Sequence, residues 1–192
     1  MTMYGFHGRF LHVDLSTGRT SWRELEESRL QNFLGGIGLG TSLLYEFAPA
    51  GVEPLSPANP LIFTSAPLVG TGLTTTAKYA VVTKSPLTSF IADSLSSSFF
   101  ALELKRVGID ALVITGRASS PVYLFIEEEK AELLSADNLW RKARARRKRL
   151  SARSMRIQRS GWQRSVWRAK IASASPPSAM KDATPVEAAS AQ

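Results

Sequence analysis

Cysteine is absent from this 192-residue chain. The protein therefore has no disulfide, no thiolate nucleophile and no cysteine ligand for an iron–sulfur cluster. Long apolar runs are also missing: none approaches the roughly 20 residues of a membrane-spanning helix, and the first residues lack the apolar stretch of a signal peptide. We expect a cytoplasmic protein with no membrane partner.

Acidic residues are scarce in the last part of the chain. Residues 141–192 carry 14 Lys and Arg against 2 Asp and Glu, whereas residues 1–140 carry 10 against 14. The net charge of +8 thus comes from the tail, and so abrupt a change marks a boundary. We predict one domain over residues 1–140. We predict a disordered basic tail over residues 141–192, because its composition buries too little apolar surface to offset the entropy of ordering.

The spacing of apolar residues in the first part predicts an α+β domain whose sheets carry most of the core. A β-hairpin is predicted over residues 9–25, where apolar and polar residues alternate around turn residues. Further strands are predicted over residues 61–66, 78–84, 111–116 and 122–127. Helices are predicted over residues 26–34, 41–48 and 99–107, with Gly35 and Gly36 ending the first and Gly108 the last.

Two segments invite a binding interpretation. The glycines of residues 35–40 follow a helical segment rather than a strand, so we interpret them as a helix end and a close backbone crossing instead of a dinucleotide loop. Residues 85–98 are rich in hydroxyls and lead into a helix N-terminus, which is typical of an anion site with Lys78 or Lys84 as counter-charge. An ordinary capped loop explains the second segment equally well.

Five segments at matching spacing resemble the N-terminal domain of the aldehyde ferredoxin oxidoreductases, a family of tungsten-pterin enzymes. The resemblance runs from about residue 3 to Trp140. The segments are MYGFHGRFLHVDLSTG from Met3, FLGGIGLG from Phe33, VEPLSPAN from Val52, YAVVTKSPLT from Tyr79 and ELKRVGIDALVITG from Glu103.

This resemblance implies a domain of two β-sheets with short helices that holds a bis-pterin cofactor of tungsten or molybdenum. It also implies a fragment of an enzyme that oxidises aldehydes to carboxylates and passes electrons to ferredoxin. The [4Fe-4S] cluster of the family is bound by cysteines in later domains, so we expect this chain to be inactive alone. The full-length enzyme could be a homodimer, and the particular aldehyde or acid stays open.

Family pterin contacts can be carried over to two places. A basic residue, usually Arg, precedes the strand that starts at Tyr79, and Lys78 holds that position without the planar fork of Arg. The family's Asn-Ser-Gly-Gly loop is matched by Leu95, Ser96, Ser97 and Ser98. Leu95 lacks the hydrogen bonds of an amide, and Ser97 adds a Cβ where Gly allows close approach. These five residues are the predicted cofactor contacts, and no catalytic acid or base is assigned.

The tail lacks the family's continuation after Trp140. The coding sequence of the tail can be read in another frame, in which each codon starts at the third base of the present codon and GC-rich synonymous codons are chosen. The residues then encoded are typical of an acidic amphipathic helix, a strand and a glycine loop, GRGGLGAV, and no stop codon interrupts them. This pattern favours a frameshift near Trp140. Two alternatives stay open: a nucleic-acid-binding protein that uses basic residues 141–170, and a non-functional gene remnant.

Overall fold

The computed structural model describes residues 5–127, 130–137 and 139–140, together with the backbone of residues 168–169. This part of the chain forms strands and three short helices. The strands are β1 Arg9–Asp14, β2 Arg19–Glu24, β3 Leu61–Thr64, β4 Lys78–Lys84, β5 Ile91–Ser97, β6 Ala111–Thr115, β7 Val122–Glu127, β8 Lys130–Ser135 and β9 Arg168–Ala169. The helices are α1 Glu27–Phe33, α2 Gly36–Phe47 and α3 Phe99–Arg106.

Six strands form the main sheet in the order β2-β1-β6-β3-β4-β5. Only β1 and β6 pair in parallel within it, and the other neighbours are antiparallel. A smaller antiparallel sheet has the order β8-β7-β9. The prediction of an α+β domain with two sheets is confirmed.

The main sheet has a hydrophobic core on each face. On one face, α1 and α2 bury Leu30, Leu39 and Leu43 against Ile62 and Val82. On the other face, α3 and the smaller sheet pack against the side chains of β1 and β6 that point away from α1 and α2. The buried residues on this face include Leu11, Val13, Leu104, Leu112, Ile114 and Leu124. Because successive strand residues point to opposite faces and both faces are covered here, the central strand β6 is a nearly continuous apolar run, ALVIT.

The structure corrects the predicted start of α2. This helix includes the glycine run and begins at Gly36 rather than Thr41, and Leu34 takes the left-handed conformation that ends α1. The reason is packing: a Cβ added at Gly40 would lie 2.5 Å from Val82 Cγ2, so glycine lets the helix approach the sheet closely. The predicted close crossing is confirmed at Gly35, where an added Cβ would lie 2.7 Å from the Ser65 carbonyl oxygen.

A second correction concerns the hydroxyl-rich segment. It was predicted as a loop, but residues 91–97 form β5, the outer strand of the main sheet. Serine is a weak strand former and this strand has one neighbour only, so little burial marks it in the sequence. Most of the tail lies outside the described residues, including the basic block and the predicted disorder; the backbone of β9 pairs with β7.

Candidate cofactor site at the β4–β5 edge

The predicted contacts come together on neighbouring strands. Lys78 opens β4 and lies directly across from Ser97 near the end of β5. Tyr79 is across from Ser96, and Ala80 is across from Leu95. The fold therefore brings two segments that are separated by a hairpin into one place.

The side chains divide between the two faces of the sheet. Lys78, Leu95 and Ser97 share the face on which Ala80 is buried beneath α2, whereas the alternation of the strand puts Ser96 on the opposite face. Ser98 has a different role, because its Oγ accepts the Phe100 N–H at 3.0 Å and caps α3. Of the five predicted contacts, three thus form one surface.

Hydrogen bonds at both ends of the hairpin show which backbone groups of β5 face β4. The Ser85 N–H donates to the Phe90 carbonyl at 2.8 Å, and the Ser98 N–H donates to the Ala77 carbonyl at 3.1 Å. Residues that lie opposite each other on antiparallel strands alternate between hydrogen-bonded and non-hydrogen-bonded pairs. The even-numbered residues of β5 therefore form the main-chain hydrogen bonds to β4. The N–H and C=O groups of Leu95 and Ser97 consequently point away from β4, toward the open edge of the sheet.

Sequence reasoning missed these main-chain groups because it treated the segment as a loop. No clear local signal could have identified the strand, because each of its faces mixes apolar with polar residues: Ile91 and Leu95 share one face with Asp93 and Ser97.

Lys78 is exposed, and no hydrogen bond or ion pair to its ammonium group is found among the described residues. Its own N–H donates to the Thr76 carbonyl at 2.7 Å, which ties the start of β4 to the preceding loop. In that loop Thr75 has a φ of 64°, a left-handed conformation that is uncommon for a β-branched residue. The edge thus offers a cation, one hydroxyl and outward amides to a polar or anionic group.

A second polar cluster is buried near the N-terminus. Lys105 and Asp110 form an ion pair in which the side chains are 8% and 1% exposed. The other oxygen of Asp110 accepts the N–H groups of His7 and Gly8, both at 2.8 Å. Lys105 Nζ also donates to the Gly5 carbonyl at 2.8 Å. The cluster fixes the N-terminal segment against the α3–β6 turn.

A cavity of about 410 Å³ opens beside this ion pair. Burial lowers the pKa of His7, which lines the cavity, and the nearby Lys105 and Arg9 act in the same direction while Asp110 opposes them. None of the five predicted cofactor contacts lines the cavity. The cavity and the β4–β5 edge are therefore separate features.

Within the described ranges, no group of three or more His, Asp or Glu residues is arranged to hold a metal ion. The same ranges contain no helix that is long and apolar enough to cross a membrane.

Comparison with known proteins assigns the family. The profile described as "Aldehyde ferredoxin oxidoreductase, N-terminal domain" matches residues 10–171. The chain belongs to this family. The match confirms the resemblance inferred from the sequence motifs, and it extends beyond residue 140.

Curated relatives in the family include two tungsten-containing aldehyde ferredoxin oxidoreductases. The Pyrococcus furiosus protein is 45% identical over 140 residues, and the Thermococcus kodakarensis protein is 44% identical over 140 residues. Each match covers 73% of this chain and 23% of the relative. An "Aliphatic sulfonate oxidoreductase, WOR-like subunit" from P. furiosus is 39% identical over 141 residues. The chain spans less than a quarter of the length of these relatives.

A solved structure supports the fold. The chain is similar to the "Active site complex BamBC of Benzoyl Coenzyme A reductase in complex with 1,5 Dienoyl-CoA", with a TM-score of 0.76 and 32% sequence identity. The similarity covers 82% of this chain and 24% of the other. Proteins whose names carry different substrates thus contain a region similar to this chain.

Proposed function

We propose that this domain is part of an aldehyde-oxidising tungsten enzyme and holds one side of its bis-pterin cofactor along the β4–β5 edge. The observation that carries the proposal is the placement of Lys78 directly across from Ser97, with the main-chain groups of Leu95 and Ser97 facing outward. Both positions match cofactor contacts of the family. The domain would act within a longer oxidoreductase and be inactive alone.

The residues at the edge suit a phosphate-bearing pterin. The Lys78 ammonium would balance phosphate charge, and the outward N–H groups of Leu95 and Ser97 would donate hydrogen bonds irrespective of their side chains. The Ser97 hydroxyl adds another donor. Leu95 is 59% exposed and supplies an apolar contact where the family has an amide. Recognition would therefore depend more on the main chain than in relatives with Asn.

The bound cofactor would supply the two-electron chemistry, and the protein would hold and orient it. Lys78 and the edge of β5 would fix the phosphate-bearing end against the sheet. Proton transfer is not assigned to any residue of this chain. Transfer of electrons through a [4Fe-4S] cluster to ferredoxin would need ligands from outside this sequence, because it contains no cysteine.

The test is cofactor retention by the 192-residue chain purified from cells supplied with tungstate. We expect pterin, detected by fluorescence after oxidation, and tungsten, detected by mass spectrometry, to copurify with the protein. Lys78→Ala should remove both because the charge at the edge is lost. The matched control is Lys130→Ala, which removes an exposed lysine from the smaller sheet. Retention that is equal in both variants, or salt-sensitive binding of nucleic acid without pterin, would contradict the proposal.

We also propose that residues 1–140 form the domain and that the reading frame shifts near Trp140. The reversal of charge at that point supports this idea. Sequencing the coding DNA across the Trp140 codon and downstream tests it, and we expect a family-like continuation in another frame. An intact gene without such a continuation would refute the shift but leave the proposal for the β4–β5 edge untouched.

A further inference from the structure

The cavity beside the buried ion pair has no part in the proposed cofactor site. Its volume of about 410 Å³ lies within the range of about 300–1,000 Å³ that is typical of small-molecule sites. The N-terminal segment, the loop between β3 and β4, and α3 enclose it, and they contribute the apolar side chains of Phe6, Val69 and Leu102. The cavity therefore has the size and the walls for a small organic molecule.

A buried ammonium group lies in the wall of this cavity. Lys105 lines the cavity, and its side chain is more than nine-tenths buried. A lysine ammonium has three N–H donors. One donates to Asp110 Oδ1 and another to the Gly5 carbonyl, and no acceptor for the third is found among the described residues. An unsatisfied buried donor is costly, so an acceptor bound in the cavity would be stabilised next to Lys105.

The charged groups around the cavity favour an anion as that acceptor. Lys105 and Arg106 both line it, whereas no Asp or Glu of the described ranges does so. The carboxylates that pair with these two cations, Asp110 and Glu103, are buried. Gly70 also lines the cavity, and its N–H donates to none of the residues that the structure describes. The cavity thus presents positive charge and main-chain donors beside its apolar walls.

We propose that this cavity binds a small organic carboxylate, with the carboxylate at Lys105 and the apolar body against Phe6, Val69 and Leu102. A hydrogen bond between two charged groups is roughly twice as strong as one between neutral groups. Lys105 and Arg106 are each already paired with a carboxylate, so the site has donors for one added negative charge but no surplus charge to balance a phosphate dianion. A single carboxylate on an apolar body fits both parts of the cavity.

A carboxylate is also the product of the aldehyde oxidation proposed above. The site would then sense the level of product, and this interpretation rests on the proposed function. Binding of the carboxylate does not rest on it, because none of the five predicted cofactor contacts lines the cavity. Loss of pterin retention would therefore leave the carboxylate site untouched.

The test is titration of the isotope-labelled 192-residue chain with benzoate, followed by nuclear magnetic resonance. We expect the amide signals of Gly5, His7 and Gly70 to shift with a dissociation constant of about 1 mM, while those of Lys78 and Ser97 stay in place. Benzyl alcohol and phenyl phosphate should each bind about tenfold more weakly or worse. Absence of shifts at the cavity, shifts at Lys78 and Ser97 instead, or equal or tighter binding of either analogue would overturn the inference.

Two variants in the same loop test the location. Thr71 is exposed and lines the cavity, so the indole of Thr71→Trp would fill the space while the ion pair stays intact. We expect benzoate to bind at least about tenfold more weakly to this variant. Thr74→Trp adds the same side chain at an exposed position outside the cavity wall and should keep the affinity within about twofold. Equal affinities for the two variants would refute the location.

A double variant tests the role of the buried charge. Lys105→Met combined with Asp110→Asn removes both charges of the pair, so neither is left buried alone. This variant should lose the preference for benzoate over benzyl alcohol. A retained preference in the folded double variant would contradict recognition by Lys105. Urea unfolding checks that the variant is folded, and Thr71→Trp decides the location whatever the stability of the double variant.

Discussion

Lys78 and Lys105 are the same residue type used in opposite ways. Lys105 is 8% exposed, pairs with Asp110 and donates to the Gly5 carbonyl. Lys78 is exposed at the sheet edge, and none of the described residues bonds its ammonium group. The buried lysine holds the fold together, whereas the ammonium group of the exposed lysine has none of the described residues as a partner.

Buried and exposed charges in this domain should differ in what their removal does. A buried charge with all its partners within the fold is costly to unpair, so its removal should lower stability. An exposed charge contributes little to stability, so its removal should affect binding alone.

The largest expected effect is that of Lys105→Met. This change leaves the Asp110 carboxylate buried with only the two N–H groups as partners, and we expect a loss of about 3–5 kcal/mol in the free energy of unfolding. Lys78→Met is the matched control and should change stability by no more than about 0.5 kcal/mol. Urea unfolding followed by circular dichroism measures both. Equal losses would remove the distinction between the two lysines.

Gly40→Ala should have the next largest effect. The added Cβ would meet the buried Val82 side chain at 2.5 Å, so the helix must shift from the sheet. We expect a loss of about 1–3 kcal/mol, as for overpacking in other cores. Tyr45→Ala lies on the same helix but changes a side chain that is 91% exposed, and it should cost far less. A neutral Gly40→Ala would refute close packing as the reason for this glycine.

Ser98→Ala should lower stability by about 1 kcal/mol, because it removes the hydroxyl that accepts the Phe100 N–H at the start of α3. Ser97→Ala, one residue earlier, changes an exposed hydroxyl of β5 and should leave the urea midpoint nearly unchanged. The pair thus tests whether the two serines have the separate roles that the structure indicates. A larger loss for Ser97→Ala would contradict this division.

The smallest effect is expected from pH. Burial lowers the pKa of His12 from 6.5, and Arg23 acts in the same direction. The unfolded state then binds the proton more readily, so stability should be full above pH 6.5 and fall as the pH drops toward the folded-state pKa. Urea midpoints at about pH 7.5 and about pH 5.5 should differ less in His12→Gln than in the natural protein. An unchanged difference would exclude His12 as a cause.

Local sequence patterns determined much of the fold. Alternation and turn residues marked β1, β2 and the central strands, and the serine cap with Gly108 marked α3, because these signals act over a few neighbouring residues. The motifs also placed the family correctly and identified Lys78 and the segment of Leu95 as positions to compare. Each of these conclusions depends on residue type and spacing alone.

Tertiary structure decided what the patterns left open. The glycines before Thr41 became part of α2 because the fit of Gly40 against Val82 outweighs the low helix propensity of glycine. Residues 91–97 became a strand because β4 offers them a partner, which no local signal records. Only this pairing shows that Lys78 faces Ser97, that Ser96 lies on the other face, and that the main chain of β5 is open at the edge. Contacts between distant residues carry that information, so the sequence read locally could not supply it.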